Sequence, residues 1–366
     1  MTRPVKNIKL AGFRSIKTLD LDLSSLTVMI GANGAGKTNL ISFFNMLNAI
    51  VNGQLQVFVG KAGGANAILH YGRKTTERLS ATLTFGDNSY SCKLTPTAKD
   101  AFIFESESVG FKGDRIPSFH EYPIGKGSAE SGLKSIAPVD RGHTVAQYVL
   151  PAIMSWKLFH FHDTSDAAKV KQTCDINDNQ ELRGDASNLA AILFKLQQTY
   201  PNHYQQIKSI IQLIAPYFDD FILAPSPLNP DKIRLQWKHN GSDSFFDANQ
   251  FSDGTLRTIC LATLINQPNL PTTILIDEPE LGLHPYAINV LAGLLRSASK
   301  NTQIIVSTQS VPLVNQLTPE DILVVDREND ASVFRRLKES DFSNWLDDYG
   351  LGDLWEKNLL GGRPQR

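Results

Sequence analysis

The chain has 366 residues, of which 36 are basic and 37 acidic, so its formal net charge is −1. Such a balance argues against a protein whose whole surface binds the phosphate backbone of nucleic acid, although it leaves room for a local basic patch. Because no run of 18 apolar residues occurs and the N-terminus lacks the apolar core of a signal peptide, we expect a cytoplasmic protein without a transmembrane helix or a membrane partner.

The first third of the chain reads as strands followed by a helix and a small meander. Residues 5–10 and 18–23 alternate apolar and polar side chains, as half-buried strands do. The apolar run LTVMI at 26–30 predicts a buried strand, and residues 38–51 have apolar side chains at helical spacing. Short alternating runs within 79–112 predict an antiparallel meander.

The rest of the chain begins irregularly and becomes regular near its end. Residues 113–140 are rich in Gly, Ser and Pro and read as loop, and KLFHFHD at 157–163 predicts a strand. The periodic segments 187–200 and 202–215 predict two helices. From residue 251 the predicted elements are a helix at 254–265, a strand at 273–278, a helix at 286–298, a strand at 303–308, a helix at 311–317 and a strand at 321–325. This alternation is typical of a parallel sheet with crossover helices.

The stretch GANGAGKT, residues 31–38, matches G-x-x-x-x-G-K-[ST] and lies between a predicted strand and a predicted helix. Its glycines allow backbone N–H groups to point at a polyphosphate, and the helix N-terminus adds its dipole. Lys37 would reach the β and γ phosphates, and Thr38 would ligate Mg²⁺. The predicted nucleotide-binding residues are Gly31, Asn33, Gly34, Ala35, Gly36, Lys37, Thr38 and Asn39. The alternative is a glycine-rich surface turn.

The stretch TTILIDEPELGLHP, residues 272–285, is an apolar strand that ends in two adjacent carboxylates. Such a pair is costly at the end of a buried strand unless it holds a cation or acts on a proton. Asp277 fits a residue that holds Mg²⁺ through water, and Glu278 fits a general base for the attacking water. Two solvated acids at a strand end are the alternative.

Two further stretches complete the set. FSDGTLRTICLA at 251–262 places Ser-Asp-Gly-Thr before an apolar helical run, which by itself indicates a serine N-cap. IIVSTQS at 304–310 is an apolar strand that ends in polar residues, and Ser307 to Gln309 would lie at its carboxyl end, where parallel sheets bind ligands.

These four stretches, in this order, resemble the ABC-type ATPase head of the SMC, RecF and OLD group. The start IKLAGFRSIKTLDLDLSSLTVMIGANGAGKTNL is similar to that group's start, and HFHDTS, LRGDASNLAAIL and LWEKNLLGGRP extend the likeness toward small stand-alone AAA_21-type predicted ATPases. The resemblance implies an α/β P-loop NTPase with a mostly parallel sheet, an antiparallel β lobe and a helical insertion. The domains that we predict are an N-terminal ATPase lobe at 1–140, a helical insertion at 141–250, a C-terminal ATPase lobe at 251–330 and a tail at 331–366.

The resemblance also assigns roles in the site. In that group the signature stretch caps the γ-phosphate held by a partner subunit, which implies that Ser252 and Gly254 bind a partner's nucleotide. Asp253 and Thr255 depart from the group's Ser-Gly-Gly-Gln form. Gln309 stands where a histidine is usual, and because glutamine positions water without carrying charge, we expect slow hydrolysis.

The group also has a glutamine loop that faces Mg²⁺, for which Gln147 and Gln172 are the candidates. His160 and His162 have a spacing compatible with a metal ion, but a structural pair is the favoured interpretation. Arg183 could reach a phosphate, although an ordinary surface arginine is favoured. His284 could contact the partner's site or pack at a helix start.

The function implied is that of an ATPase which dimerises around two ATP·Mg²⁺ and drives DNA maintenance or anti-phage defence, with a possible effector protein. DNA is a possible partner that the net charge does not support. The alternative is a slow nucleotide-dependent switch that regulates a protein partner without binding DNA. A transporter ATPase ranks third. An OLD-type nuclease is not expected, because about 40 residues follow the last predicted strand, too few for a second catalytic domain.

Overall fold

The computed structural model describes residues 4–113, 120–136, 141–342, 345 and 349–362, with backbone only at 141–142. The strands are β1 (Asn7–Phe13), β2 (Ile16–Asp22), β3 (Leu26–Ile30), β4 (Leu79–Phe85), β5 (Asn88–Pro96), β6 (Phe102–Phe111), β7 (His120–Gly125), β8 (Lys157–Phe159), β9 (Cys174–Asp175), β10 (Phe218–Ile222), β11 (Pro225–Ser226), β12 (Asn229–Ile233), β13 (Gln236–His239), β14 (Phe245–Asp247), β15 (Thr273–Asp277), β16 (Gln303–Ser307), β17 (Ile322–Glu328) and β18 (Ala331–Arg336). The α-helices are α1 (Lys37–Val51), α2 (Leu55–Lys61), α3 (Ala65–Ile68), α4 (Arg141–Met154), α5 (Leu189–Thr199), α6 (Pro201–Ile214), α7 (Asp253–Ile265), α8 (Pro285–Ala298), α9 (Val311–Val314) and α10 (Leu351–Glu356). Short 3-10 helices cover Leu133–Ser135, Lys169–Lys171, Ala248–Gln250, Pro319–Asp321 and Glu339–Asp341.

The central sheet has the strand order β18-β17-β3-β16-β15-β8. Strands β17, β3, β16, β15 and β8 are parallel, and β18 returns antiparallel to β17. Every residue of β3 and β16 is buried, as expected of strands covered on both faces. The predicted parallel sheet with crossover helices is therefore confirmed.

A second, antiparallel sheet has the order β2-β1-β4-β5-β6-β7. Strand β4 alternates buried and half-buried residues, because one of its faces packs on the core. The predicted antiparallel β lobe is confirmed. The prediction that 113–140 is loop was wrong in part, since β7 lies within this segment. Pro123 argues against a strand when the sequence is read alone. A proline is tolerated there because β7 is an edge strand.

Two hydrophobic cores lie on the two faces of the central sheet. Met29, Leu275 and Ile305 point toward α1, α4 and the antiparallel sheet. Their neighbours, such as Val28 and Ile304, point to the opposite face, which is covered by α5, α6, α7 and α8. The alternation follows the two-residue repeat of a strand. Because β3, β16 and β15 pair in parallel, their carboxyl ends lie side by side. None of the described helices is long and apolar enough to cross a membrane.

The segment 141–250 is more mixed than the predicted helical insertion. It contains α4, α5 and α6, but also β8 of the central sheet and two small antiparallel sheets, β10-β13-β14 and β11-β12-β9. The difference has a simple reason: these strands have only two to five residues, too few to show a sustained alternation. Trp237 of β13 stacks on Phe251 with ring centroids 4.5 Å apart, so the small sheet packs beside the start of α7.

The segment predicted as a tail begins with a strand of the central sheet, since β18 occupies Ala331–Arg336. The chain then passes through α10, whose Trp355 is buried in the core. It returns to β17, where the Gly362 amide donates to Asp326 Oδ1 at 2.7 Å. The end of the described chain thus packs beside Gly31, whose Cα is 3.2 Å from where a Cβ of Gly362 would lie.

Candidate active site

The loop between β3 and α1 has the shape that its glycines permit. Gly31 has φ 154 and an added Cβ would lie 2.2 Å from the Val325 carbonyl oxygen. Gly36 has φ 122, and a Cβ there would lie 2.0 Å from Ser332 Oγ. Both positions therefore require glycine for backbone conformation and for space. Helix α1 follows this loop directly. It begins at Lys37, and the free N–H groups of its first turn lie at the loop.

Hydroxyl groups of strand β18 and of the turn between β1 and β2 support this loop from behind. Ser332 Oγ of β18 donates to the Ala35 carbonyl at 2.5 Å, and Ser15 Oγ lies 2.6 Å from Ser332 Oγ. Asn39 Nδ2 donates to Ser15 Oγ at 2.6 Å. Since Ser332 uses its proton on Ala35, Ser15 donates to Ser332. No pattern in the sequence indicates these roles, although Ser15 lies in the GFRSI segment that carries the resemblance.

Lys37 is buried, and its ammonium folds back onto the loop. Nζ donates to the carbonyl oxygens of Gly31 at 2.5 Å and Ala32 at 3.2 Å. Burial lowers the pKa of Lys37, and the nearby carboxylates of Glu278, Asp277 and Glu280 oppose this shift. A buried ammonium that faces carboxylates across a cavity is suited to a polyphosphate, which would bring further negative charge to it.

The acid pair meets the polar end of β16 because β15 and β16 run parallel with Asp277 opposite Ser307. Ser307 Oγ donates to Asp277 Oδ1, and the Glu278 amide donates to the Ser307 carbonyl at 2.9 Å. Gln309 Nε2 donates to Glu278 Oε1. Glu278 itself has φ 42, a left-handed conformation that is uncommon for a residue with a Cβ and that turns its carboxylate away from the strand direction.

A cavity of about 240 Å³ joins these groups. Its lining consists of Ala32, Asn33, Gly34, Gly36, Lys37, Thr38, Asn39, Asp277, Glu278, Ser307 and Gln309. Two predicted nucleotide-binding residues of the same loop, Gly31 and Ala35, are not among the lining residues. The hydroxyl of Thr38 and the carboxylate of Asp277 are oxygen donors of the kind that Mg²⁺ prefers, so the residues present fit that ion.

Two histidines stand beside the acid pair. Strand β8 pairs with β15, with Phe159 opposite Ile276, so its end meets Asp277. His162 Nε2 donates to the Asp277 carbonyl at 2.8 Å, and His160 Nδ1 is 3.8 Å from Asp277 Oδ2. Burial lowers the pKa of His160, and Asp277 partly opposes this. Among the described residues no cluster of three or more His, Cys, Asp or Glu is arranged to hold a metal ion.

The two glutamines predicted as candidates for a loop facing Mg²⁺ lie elsewhere. Gln147 is on α4, where Nε2 contacts His143 at 2.9 Å, and Gln172 donates to the Asp166 carbonyl at 3.2 Å. Neither is among the residues that line the cavity. Their place in the chain order makes them candidates, but chain order does not determine which strand end adjoins Asp277.

Glu280 is a buried acid that sequence reasoning missed. Its Oε1 accepts from Thr308 Oγ1 at 2.5 Å and from the Gln309 amide at 3.3 Å. Burial raises the pKa of Glu280. In the sequence it is one acid in the run DEPE after a strand, so nothing distinguishes it from a solvated loop residue.

Ser252 caps α7, because its Oγ accepts from the Thr255 amide at 3.2 Å. Ser252 and Asp253 are exposed at the start of this helix, and a Cβ at Gly254 would lie 2.6 Å from the Gly282 carbonyl oxygen. Neither Ser252 nor Gly254 is among the residues that line the cavity of the same chain. The signature start thus faces outward, next to the loop that follows the acid pair.

Arg257, on the buried side of α7, was also missed. Its guanidinium donates to the carbonyls of Phe161 at 3.0 Å, Leu281 at 2.7 Å and His162 at 2.9 Å. The Arg257 side chain therefore connects α7 to the residues that follow β8 and to the loop after the acid pair. Nothing in FSDGTLR marks it, because an arginine in the first turns of a helix is ordinarily solvated.

Two weaker candidates have structural roles. Arg183 Nε donates to Asp178 Oδ2 at 2.5 Å, as expected of a surface arginine. His284 caps α8, where its Nδ1 accepts from the Tyr286 amide at 3.2 Å.

Comparison with known proteins agrees with the geometry. Residues 26–315 match the model of a family described as "AAA_21: AAA domain, putative AbiEii toxin, Type IV TA system". The Old nuclease of Escherichia phage P2 is 22% identical over 372 residues, covering 92% of this chain and 61% of that protein. The OLD nuclease of Thermus scotoductus is 25% identical over 375 residues, covering 98% of this chain and 68% of that protein. The chain therefore spans roughly two thirds of the length of these relatives.

Solved structures show the same fold. An Smc head bound to the C-winged helix domain of ScpA superposes with a TM-score of 0.60 at 16% identity, covering 92% of this chain and 99% of that one. An Smc head with an extended coiled coil, bound to the C-terminal domain of ScpA from Pyrococcus furiosus, gives a TM-score of 0.56 at 14% identity over 94% of this chain and 99% of that one. The architecture is that of an ABC-type ATPase head.

Proposed function

Because the chain belongs to the AAA_21 family, whose match covers residues 26–315, we propose that it binds ATP with Mg²⁺ and hydrolyses it to ADP and phosphate. One observation carries the proposal: Lys37, Thr38, Asp277 and Glu278 line the same cavity of about 240 Å³. A phosphate loop, a hydroxyl and carboxylate for a divalent cation, and a second carboxylate next to them are the parts that phosphoryl transfer to water requires.

Each residue has a role that follows from its position. The N–H groups of the loop and the Lys37 ammonium bind the phosphates, and Thr38 and Asp277 hold the cation. Bound Mg²⁺ would neutralise charge on the phosphate oxygens. Glu278 accepts the proton of the attacking water, and the Gln309 amide holds the Glu278 carboxylate in place through its hydrogen bond to Oε1.

We further propose that two copies of the chain close head to head around two nucleotides. Ser252 and Gly254 lie at the N-terminus of α7 in one copy. From there they would complete the nucleotide site of the second copy. The exposed apolar side chains of Leu281 (45% exposed) and Tyr286 (47% exposed) lie just after the acid pair and support an interface there. In this arrangement the nucleotide site of one copy is completed only when the second copy binds.

The work driven by this cycle is proposed to involve nucleic acid, in DNA maintenance or defence against phage. The support is that two relatives are named nucleases and that the family description includes a toxin. The second candidate is a slow switch that regulates a protein effector. Gln309 favours it, because a glutamine at the end of β16 cannot supply the positive charge of a protonated histidine.

The test is steady-state ATP hydrolysis combined with binding of a fluorescent ATP analogue. We expect Lys37→Ala to lose nucleotide binding, and Glu278→Gln to bind nucleotide while hydrolysis falls by about 100-fold or more, since it removes the general base. Lys126→Ala, a change of an exposed lysine away from the cavity, is the control and should match the wild type. Undiminished hydrolysis in Glu278→Gln would contradict the proposed chemistry.

The same assay separates the two candidate roles. Stimulation by duplex DNA that disappears as salt rises would support the nucleic acid role, because phosphate contacts release counterions. A rate indifferent to DNA at every salt concentration would favour the protein switch.

A further inference from the structure

Glu280 is buried at a place where a carboxylate is costly. It is 9% exposed, and its Oε2 has no hydrogen-bond partner among the described residues. Burial raises its pKa, and the neighbouring Glu278 carboxylate acts in the same direction. An acid with one unsatisfied oxygen destabilises the fold relative to a well-packed apolar side chain, so packing gives no reason for its presence.

The other oxygen of Glu280 reaches across to the strand that carries Gln309. Its Oε1 accepts two hydrogen bonds, one from Thr308 Oγ1 at 2.5 Å and one from the backbone N–H of Gln309 at 3.3 Å. Thr308 is fully buried and directly follows β16, and its own Oγ1 accepts from the Ser310 amide at 3.0 Å. The backbone from 308 to 310 is therefore held by the Glu280 carboxylate, directly and through Thr308.

The segment held in this way includes the side chain that contacts the general base. Gln309 is exposed to the cavity, and its amide donates to Glu278 Oε1. Its backbone N–H, one residue from the fixed Thr308, is bound to Glu280. Glu280 therefore helps to hold the backbone position from which the Gln309 side chain contacts Glu278, together with the bond from the Thr308 amide to the Met29 carbonyl.

We propose that Glu280 is a positioning residue for hydrolysis. It fixes Thr308 and the Gln309 backbone, so that the side-chain amide of Gln309 stays hydrogen-bonded to the Glu278 carboxylate. This inference rests on the proposed ATPase activity and adds a residue to it. Glu280 does not line the nucleotide cavity, so it acts through Gln309 and not by contact with substrate.

The test is a double-mutant cycle between positions 280 and 309, read as kcat together with the affinity for a fluorescent ATP analogue. Glu280→Ala removes the acceptor, and we expect kcat to fall by about 10- to 100-fold, because small misplacements of catalytic groups have effects of this size. Nucleotide affinity should change less than about threefold, since the phosphate loop is intact. Glu280→Gln keeps a side-chain oxygen acceptor and should recover most of the lost rate.

If Glu280 acts through Gln309, the double variant Glu280→Ala with Gln309→Ala should be no slower than Gln309→Ala. Glu77→Ala, at an exposed glutamate in the loop before β4, is the matched control and should retain the wild-type rate. Multiplicative effects of the two substitutions would overturn the inference, as would equal losses in Glu280→Ala and Glu280→Gln.

The outcomes also separate this inference from the function on which it rests. A wild-type protein that binds but never hydrolyses ATP would remove both. A wild type that hydrolyses ATP together with an equally active Glu280→Ala would remove the inference and leave the proposed ATPase unaffected.

Discussion

At the scale of single residues, the site consists of charges held close together before any ligand arrives. Lys37 is buried against loop carbonyls, and Asp277, Glu278 and Glu280 act on it from the opposite side. Such a group of charges is stabilised when a polyphosphate and a cation fill the space between them. Of the three acids, Glu280 is the most buried and therefore the most costly to ionise.

This cost predicts a pH-dependent stability difference. Because the pKa of Glu280 is raised in the folded state, the unfolded chain releases the proton first, and wild-type stability falls as pH rises through the folded pKa. Glu280→Gln cannot ionise. We therefore expect its thermal midpoint to rise relative to the wild type as pH increases from about 5 to about 8, above the unfolded glutamate pKa of about 4.3.

The measurement is thermal unfolding of both proteins across this pH range. Glu77→Gln, which changes an exposed glutamate, should show no such trend. A difference between Glu280→Gln and wild type that stays constant with pH would show that Glu280 is not desolvated in the folded protein.

The residues that could be predicted from the sequence differ from the others in one physical respect. The phosphate loop and the acid pair are runs of neighbouring residues whose local backbone conformation carries the chemistry. Ser15 acts through Ser332, 317 positions away, and Glu280 through Thr308, 28 positions away. Their roles depend on which strands become neighbours, which no local pattern specifies.

At the scale of elements, α7 connects the stretch that begins at Ser252 with the strand end that carries the acid pair. Arg257 joins it to Leu281, which follows the acid pair, and to His162, which itself donates to the Asp277 carbonyl. Movement of α7 would therefore shift both sides of Asp277. In the dimer that we propose, this contact would couple the start of α7 to the acid pair of the same chain.

Replacing Arg257 should destabilise the protein strongly. Arg257→Ala leaves the carbonyls of Phe161, His162 and Leu281 without their donor in a buried place, which we expect to cost about 2–4 kcal/mol of unfolding free energy. The control is Arg183→Ala, whose exposed ion pair with Asp178 should be worth less than about 1 kcal/mol. Denaturant unfolding measures both, and similar losses in the two variants would contradict the assigned role of Arg257.

Element prediction succeeded where the periodicity was sustained. Helix 254–265 and the strands at 273–278 and 303–308 have clear patterns and appear as α7, β15 and β16. The small strands of 218–247 could not be predicted, because they are stabilised by packing such as that of Trp237 on Phe251 and not by a pattern of their own.

At the scale of the whole molecule, the dimer that we propose would bring together two separate parts of the chain's surface. One is the cavity with the phosphate loop and acid pair; the other is the exposed start of α7 with Ser252. Ser252 and Gly254 do not line the cavity of their own chain, which is why we propose that they act on the nucleotide site of a second copy. Nucleotide between the two copies would then determine whether they associate.

The most direct test of this arrangement is the mass of Glu278→Gln in solution, measured by size-exclusion chromatography with light scattering. With ATP and Mg²⁺ we expect twice the 40.5 kDa of one chain, and without nucleotide a single chain. Adding Lys37→Ala to the same variant should abolish the dimer, because nucleotide binding is lost. A protein that demonstrably binds ATP and remains monomeric at micromolar concentration would contradict the head-to-head site.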